Sequence, residues 1–211
     1  MTGVKICGLT TAQTLDAALD AGAAYVGAVF FARSPRNITP EAAADLFARA
    51  RGRARIVAVT VDADDALLAE IGRTLKPDLI QLHGHEAPER AARVRALTGA
   101  GIIKALPIRG PEDFAPAADW EPVADHLMFD ARPVEGAALP GGVGARFDWS
   151  LAAGRSFRNP WFLAGGLTPA NAAEAARISG APLLDVSSGV ETAPGVKEPA
   201  LIRAFIEAVR G

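Results

Sequence analysis

The stretch WFLAGGLTPANAAEAARISGAPLLDVSSGV, residues 161–190, contains two short apolar runs on either side of a helical pattern. The runs are Trp161–Ala164 and Leu183–Val186, and between them Pro169–Ile178 repeats small and apolar residues at helical spacing. A strand, a helix and a second strand in this order are typical of two parallel strands joined by a crossover helix. This unit therefore predicts a parallel sheet covered by helices.

The same alternation runs through the whole chain. The predicted strands are Val4–Cys7, Tyr25–Phe30, Ile56–Val61, Leu79–Leu82, Ile102–Ala105, His126–Phe129, Trp161–Ala164 and Leu183–Val186. The helical patterns are Thr11–Ala21, Pro40–Ala50, Ala66–Leu75, Pro88–Leu97, Pro169–Ile178 and Pro199–Val209. Eight strands alternating with helices predict an α/β fold of the (β/α)8, or TIM-barrel, type, because that number lets the last strand pair with the first.

The alternative fold is an open, doubly wound sheet. Such sheets usually have about five or six strands and carry a glycine-rich phosphate loop after the first strand. No G-x-G-x-x-G pattern follows the first predicted strand, and no linker interrupts the series. We therefore expect one barrel domain over residues 1–211.

Two predicted helices carry a recognisable start. Thr39 and Thr168 each precede a proline, and a threonine cap followed by proline at the first helical position is typical of a helix N-terminus. The fifth and sixth helices are expected to be the weakest, because prolines crowd residues 111–122 and Gly154 shortens the sixth.

The composition excludes several function classes. Of the 211 residues 50% are hydrophobic and 22% are charged, and the net charge of −2 creates no field that recruits nucleic acid or an anionic membrane. A single cysteine excludes an internal disulfide and a cysteine-based zinc cluster. We see neither a signal-peptide pattern nor an apolar run near the ~20 residues that cross a bilayer, so we expect a cytoplasmic protein.

Polar residues lie near the carboxyl ends of five predicted strands. Because side chains alternate along a strand, every second residue of a barrel strand points inward, where apolar side chains are the rule. The polar candidates are Lys5 and Cys7, Gln81 and His83, Lys104, Asp130, and Asp185 with Ser187. This set predicts a site at the barrel mouth. The alternative is that some members, Lys5 and Asp185 above all, form buried ion pairs that only rigidify the barrel.

The last two strands are each followed by a glycine-bearing loop. Gly165 and Gly166 follow the seventh strand, and Ser187, Ser188 and Gly189 follow the eighth. Glycines let backbone N–H groups approach an anion, and barrels commonly bind phosphate in these two loops. The pair of loops predicts a phosphate site.

Six stretches, in order along the chain, resemble the motifs of one family. They are KICGLT at residues 5–10, SPR at 34–36, IQLHG at 80–84, GGVGARFDW at 141–149, LAGGLTP at 163–169, and DVSSGVE followed by PGVK within 185–197. Together they resemble phosphoribosylanthranilate isomerase of tryptophan biosynthesis. The resemblance implies a barrel of the ribulose-phosphate-binding type that acts on a phosphorylated small molecule, as a monomer or homodimer. It also implies an aldose–ketose (Amadori) rearrangement without metal or cofactor.

The resemblance implies that Cys7 is the general base and Asp130 the general acid. Lys5, on the same inward face as Cys7, is expected to favour the thiolate by lowering the thiol pKa, provided that Asp185 does not fully take up its charge. Apolar neighbours in LMFD, residues 127–130, are expected to keep the Asp130 carboxyl protonated. The alternatives are that Cys7 is a small buried core residue and Asp130 a capping residue after a strand.

The remaining roles are also implied by the resemblance. Arg36 would bind the anthranilate carboxylate in a bidentate manner, with Arg33 as a nearby rival. Asp185 would position the anthranilate amine, while Gln81 and His83 line the mouth. The phosphate would bind to residues in three glycine-bearing stretches: Gly144, Gly165, Gly166, Ser187, Ser188 and Gly189.

Three other functions compete with the isomerase. A metal-dependent hydrolase could use His83 and His85, but it needs further ligands and only His126 remains. The aminoaldose isomerase of histidine biosynthesis typically carries an aspartate where Cys7 stands. A phosphate-ligand binding protein without catalysis would have no use for both Cys7 and Asp130.

Overall fold

The computed structural model describes residues 2–131 and 148–211. Its barrel strands are β1 Gly3–Cys7, β2 Tyr25–Phe30, β3 Arg55–Thr60, β4 Leu79–Leu82, β5 Gly101–Ile108, β6 His126–Ala131, β7 Trp161–Leu163 and β8 Leu183–Val186. All eight are parallel, each pairs with the next along the chain, and β8 pairs with β1 to close the barrel. The predicted (β/α)8 fold is confirmed.

Helices surround the barrel. They are α1 Ala12–Asp20, α2 Pro40–Phe47, α3 Asp65–Thr74, α4 Arg90–Thr98, α5 Ala117–Trp120, α6 Ala172–Ser179 and α7 Pro199–Arg210. Short 3₁₀ turns lie at Ala48–Ala50, Pro111–Phe114, Trp149–Ala152 and Ser188–Val190. The connection after β5 is reduced to a 3₁₀ turn and the four-residue α5, so the expected weakness of the fifth helix is confirmed. A small antiparallel hairpin that the sequence analysis did not predict, β9 Glu191–Ala193 and β10 Val196–Lys197, follows β8.

One predicted helix start is confirmed and the other is wrong. Thr39 Oγ1 accepts a hydrogen bond from the backbone N–H of Ala42, as expected of a cap. Helix α6 begins at Ala172 rather than at residue 169, with Asn171 as its cap. The reason is local, because Asn171 Oδ1 accepts from Thr168 N–H while its amide donates to the carbonyl of Gly166. This closes a separate turn before the helix.

Two apolar clusters stabilise the fold. The outer cluster lies between the strands and the helices, and α7 packs on α1 and α6 to complete the ring. The inner cluster fills the barrel with alternate strand residues: Cys7, Tyr25, Val29, Val57, Val59, Leu79, Ile103, Ala105, Met128, Phe162 and Ala164. Full burial of each large apolar side chain contributes about 1.5–3 kcal/mol. The inner cluster also identifies which face of each strand points into the barrel.

The prediction that Lys104 contributes to the barrel mouth is wrong. Ile103, the preceding residue of β5, belongs to the inner cluster, so strand alternation turns Lys104 outward. There Lys104 Nζ lies 2.8 Å from Glu86 Oε2 and 5.1 Å from the ring centre of Trp120. Lys104 therefore belongs to the packing between barrel and helices, and four strands rather than five supply polar groups to the mouth.

The amino-terminal end of the barrel encloses a histidine. His126 is 6% exposed, and its Nε2 lies 3.3 Å from Tyr25 Oη, while Phe162 packs against both rings. His126 Nδ1 is buried without a hydrogen-bond partner in the described part of the chain. Burial, and then the nearby charge of Arg55, lower the pKa of His126.

We expect His126 to make the fold less stable in mild acid. A histidine in the unfolded chain takes up a proton at about pH 6.5, whereas folded His126, with its lowered pKa, resists protonation. Its contribution to stability is therefore complete above that pH and is lost as the pH falls towards the folded pKa. Urea unfolding at about pH 7.5 and about pH 5.5 gives the free energy of unfolding at each pH. Between the two, this free energy should fall less for His126→Phe than for the parent. His85→Gln, at an exposed imidazole, is the control, and an equal loss in His126→Phe would contradict the prediction.

Candidate active site

The carboxyl ends of β1, β4, β6 and β8 bring the predicted polar residues together at one end of the barrel. The buried members of this group are Lys5, Cys7, Gln81, Asp130 and Asp185, and His83 follows directly after β4. Each lies on the inward face that strand alternation predicts. The arrangement places a thiol, a carboxyl group and an imidazole around one mouth.

Lys5 and Asp185 form an ion pair where the barrel closes. They lie opposite each other in the β1–β8 register, and Lys5 Nζ is 2.8 Å from Asp185 Oδ1. Burial opposes the charge of Lys5, but Asp185 and Cys7 outweigh it and raise the pKa of Lys5 above its ordinary value. The buried ion pair that the sequence left as an alternative is therefore present.

Cys7 is 6% exposed at the end of β1. Burial raises the pKa of Cys7, and the charges of Lys5 and Lys197 only partly offset it, while Asp185 raises it further. The expectation that Lys5 lowers the thiol pKa is correct for that one contact and wrong for the net effect. The main reason is burial of the thiol, and Asp185 also takes up part of the lysine's charge.

A chain of contacts links Gln81, His83 and Asp130. Gln81 Nε2 lies 2.7 Å from His83 Nδ1, and because an amide nitrogen can only donate, Nδ1 accepts. On the other side of the ring, His83 Nε2 lies 3.2 Å from Asp130 Oδ2. Gln81 therefore holds the imidazole with Nε2 towards the Asp130 carboxyl group.

His83 and His85 do not face the same space. His83 turns to Asp130 inside the mouth, whereas the side chain of His85 is 97% exposed and lies 3.3 Å from Asp62. Within residues 2–131 and 148–211, no three His, Cys, Asp or Glu side chains converge in a metal-binding arrangement. The geometry of the described residues gives no support to the metal-dependent hydrolase.

Arg36 lies in the loop after β2, and its guanidinium is paired. Nε and Nη2 donate to Glu191 Oε1 and Oε2 at 2.7 and 2.8 Å, and Lys197 Nζ contacts the same carboxylate. Glu191 and Lys197 lie in a stretch that resembles a family motif, but no role was predicted for either residue. The sequence did contain a signal for this contact. Pro194 and Gly195 lie between Glu191 and Lys197 and are typical of a turn, which would bring Glu191 and Lys197 together.

The loops after β7 and β8 touch each other. A Cβ atom at Gly189 would lie 1.8 Å from Leu167 O, so only glycine permits this approach. Ser187 ties the second loop to β1, because its Oγ donates to the carbonyl of Cys7 at 3.2 Å. Among the described residues, no protein acceptor occupies the loop N–H groups of Gly165, Gly166, Ser188 and Gly189. Four unoccupied donors in two adjoining loops form a suitable cradle for an anion.

One predicted phosphate residue, Gly144, lies outside the described residues.

Among those that are described, no helix has the length and apolar character needed to cross a membrane.

Eight parallel strands around a mouth that holds a thiol, a carboxyl group and an imidazole define a class: (β/α)8-barrel proteins with an acid–base site at the strands' carboxyl ends. Comparison with known proteins narrows the class. The family model of N-(5'-phosphoribosyl)anthranilate (PRA) isomerase matches residues 4–208, and the chain belongs to this family.

Individual relatives agree with this assignment. An N-(5'-phosphoribosyl)anthranilate isomerase from Caulobacter vibrioides is 57% identical over 209 residues, which are 99% of this chain and 95% of the relative. A crystal structure of phosphoribosyl anthranilate isomerase in complex with reduced 1-(o-carboxyphenylamino)-1-deoxyribulose 5-phosphate has a TM-score of 0.86 at 29% identity, over 100% of both chains. Monomers of the dimeric isomerase from Thermotoga maritima match with a TM-score of 0.85 at 29% identity, again over 100% of both chains.

We expect Asp185→Asn to lower the pKa of Cys7. The substitution removes a negative charge that raises this pKa and releases the positive charge of Lys5 to stabilise the thiolate. The ultraviolet absorbance of the thiolate, measured against pH, gives the pKa of Cys7, because the chain has a single cysteine. Cys7→Ser provides the blank. Asp16→Asn, at a carboxylate on α1, is the control. A midpoint equal to or above that of the parent would rule out this electrostatic coupling.

Proposed function

We propose that the chain converts N-(5'-phosphoribosyl)anthranilate to 1-(o-carboxyphenylamino)-1-deoxyribulose 5-phosphate, an aldose–ketose rearrangement of tryptophan biosynthesis. One observation carries the proposal. Cys7 lies on the inward face of β1 and Asp130 on the inward face of β6, at the mouth of a barrel that belongs to the isomerase family. These strands are three positions apart around the ring, so a sugar held between them can meet both groups.

The rearrangement needs an acid and a base at different atoms. In this proposal Asp130 donates a proton to the ribose ring oxygen as the ring opens to an iminium ion. Cys7 then removes the proton from the adjacent C2′, and the resulting enolamine tautomerises to the ketone. An acid and a base on separate strands suit a reaction whose two proton transfers occur at different positions of one sugar.

The protonation state of Cys7 follows from its surroundings. Burial holds the pKa of Cys7 above its ordinary value, so the uncharged thiol is favoured before substrate binds. Ring opening creates a positively charged iminium ion close to the thiol, and an adjacent positive charge favours the thiolate. The base would therefore become available at the step that uses it.

The contacts of His83 support an orienting role. With Gln81 at Nδ1, His83 Nε2 lies 3.2 Å from Asp130 Oδ2, close enough to hold the carboxyl group in one orientation. A carboxyl group held in one orientation delivers its proton to one atom of the substrate. In the proposed site, Gln81 and His83 line the mouth and keep the acid in position.

The binding roles follow from the remaining geometry. The cradle of the loops after β7 and β8 would hold the phosphate through the N–H groups of Gly165, Gly166, Ser188 and Gly189, with Ser187 anchoring the loop to β1. Arg36 would bind the anthranilate carboxylate, and Asp185, held by Lys5, would position the anthranilate amine. Gly144 remains part of the proposed phosphate site by its motif alone.

We expect Cys7→Ser and Asp130→Asn each to lower kcat by about 100-fold or more, the usual contribution of general acid–base catalysis. The assay follows the loss of substrate fluorescence with N-(5'-phosphoribosyl)anthranilate generated in situ. Both variants should still bind reduced 1-(o-carboxyphenylamino)-1-deoxyribulose 5-phosphate, which shows that the site is intact. Asp20→Asn, at an exposed carboxylate on α1, should keep the parent rate.

Near-normal turnover in Cys7→Ser would remove the thiol from the mechanism. A parent protein that binds the phosphorylated ligand without any turnover would instead indicate a binding protein. The two results separate an error in one residue from an error in the proposed function.

We expect Arg36→Met to raise KM by about 10-fold or more, with a much smaller change in kcat, because a bidentate carboxylate contact is lost while the acid and the base remain. Steady-state kinetics over a range of substrate concentrations separates the two constants. Arg33→Met is the matched control, since Arg33 lies in the same loop and packs over the ring of Phe31. A rise in KM for Arg33→Met alone would transfer the carboxylate contact to that arginine.

A further inference from the structure

The carboxylate of Glu191 is held from two sides. Arg36 binds it through Nε and Nη2, and Lys197 contacts Oε1. The three side chains are buried, with exposed fractions of 6% for Arg36, 4% for Glu191 and 1% for Lys197. Even when buried charges are paired, apolar residues in their place often stabilise a fold equally well, so stability alone does not account for this cluster.

The contact leaves one edge of the Arg36 guanidinium unused. Nε and Nη2 form the side edge, and both are directed at Glu191. None of the described residues accepts a hydrogen bond from Nη1. The Nη1–Nη2 edge therefore has donors left for a second carboxylate while Glu191 stays in place, because a guanidinium has five N–H donors in one plane.

Lys197 has the hydrogen-bond partners that an ammonium group requires. An ammonium group has three donors, and Nζ has three acceptors: Ser187 O at 3.0 Å, Ser187 Oγ at 3.2 Å and Glu191 Oε1. Burial lowers the pKa of Lys197, and the Glu191 carboxylate opposes that shift. Burial likewise opposes the charge of Glu191, but Arg36 and Lys197 outweigh it and lower the pKa of Glu191.

The charges of the cluster decide what it attracts. Arg36 and Glu191 alone make a neutral pair, which attracts a further carboxylate only weakly. Lys197 adds a positive charge to the same carboxylate, so the cluster carries a net charge of +1. The guanidinium therefore remains attractive to an anion although it already has a bidentate partner.

The local fold holds the cluster against the arginine loop. Lys197 and Glu191 are paired in the β9–β10 register, and the backbone N–H of Gly195 in the connecting turn also donates to Glu191 Oε2 at 3.2 Å. On its other side the Arg36 side chain crosses Gly8, whose φ is +77° and where a Cβ atom would lie 2.6 Å from Arg36 Cδ. The guanidinium is thus confined from both sides.

We propose that Glu191 and Lys197 are positioning residues that make the site specific for a substrate with a carboxylate on its aromatic ring. Glu191 sets the orientation of Arg36 with its Nη1–Nη2 edge available, and Lys197 offsets the charge of Glu191. This inference rests on the proposed function, because it assigns the aromatic carboxylate to Arg36.

The test compares two ligands that differ by the carboxylate alone. One is reduced 1-(o-carboxyphenylamino)-1-deoxyribulose 5-phosphate, and the other is the same compound made from aniline, which lacks the carboxyl group. Isothermal titration calorimetry gives Kd for each, and the ratio of the two is the carboxylate preference. Damage to the fold or to the phosphate site weakens both ligands alike and leaves this ratio unchanged.

Lys197→Met should reduce the carboxylate preference by about 10-fold, with little change in the Kd of the ligand without a carboxylate. Lys197→Gln, which keeps a donor for Ser187 and removes only the charge, should do the same and replaces the first variant if that one does not fold. Lys197→Arg should retain the preference. Lys104→Met, which breaks a buried lysine–glutamate pair outside the barrel mouth, is the matched control and should leave the ratio unchanged.

A double-mutant cycle identifies Arg36 as the group through which Lys197 acts. If Lys197 acts through Arg36, Lys197→Met should change the carboxylate preference little in a protein that already carries Arg36→Met, because the effects of the two substitutions are then not additive. An unchanged ratio in both Lys197 variants, or equal loss for both ligands, would overturn the inference. Failure of the proposed function would look different: the unaltered protein would show neither turnover nor a carboxylate preference.

Discussion

The ion pair between Lys5 and Asp185 joins the first and last strands of the barrel. Both charges are largely withdrawn from water, and removal of one partner from such a pair typically costs about 3–5 kcal/mol. The pair exists only when β8 lies beside β1 in one register, and the closed barrel provides that register. Closure and the ion pair therefore depend on each other. The same contact draws the charge of Lys5 away from Cys7, which leaves burial to dominate the pKa of the thiol.

The balance of charge around the mouth explains how a weakly acidic chain can accept an anion. The protein as a whole has a net charge of −2. On the side of the mouth that carries Cys7, and leaving aside Asp130 on β6, three buried cations face two buried carboxylates: Lys5, Arg36 and Lys197 against Asp185 and Glu191. The local excess of one positive charge lies beside the unoccupied N–H donors of the last two loops. In the proposed site, attraction of a phosphorylated carboxylate would depend on this short-range arrangement, where burial limits screening by salt.

Strand alternation predicted most of the polar residues that face into the barrel, and its failures have physical causes. The inward positions of Lys5, Cys7, Gln81, Asp130 and Asp185 were all predicted from the faces of their strands. Lys104 was placed wrongly, because β5 is apolar on both faces and its pattern alone does not decide which side meets the helices. The start of α6 was misplaced, since the side chain of Asn171 closes a turn that competes with the expected cap. The pairing of Arg36 with Glu191 was missed, because 155 residues separate them in the chain.

The sequence by itself determined the eightfold alternation of strands and helices, the faces of most strands and the two glycine-bearing loops. These features depend on periodicity and on residues that are neighbours in the chain. Only the tertiary structure decided which charges meet: Lys5 with Asp185, and Arg36 with Glu191 and Lys197. It also decided that the pKa of the thiol is raised rather than lowered. The physical reason is that Coulomb energies and burial depend on distances in space, which the folded barrel sets and which sequence spacing does not contain.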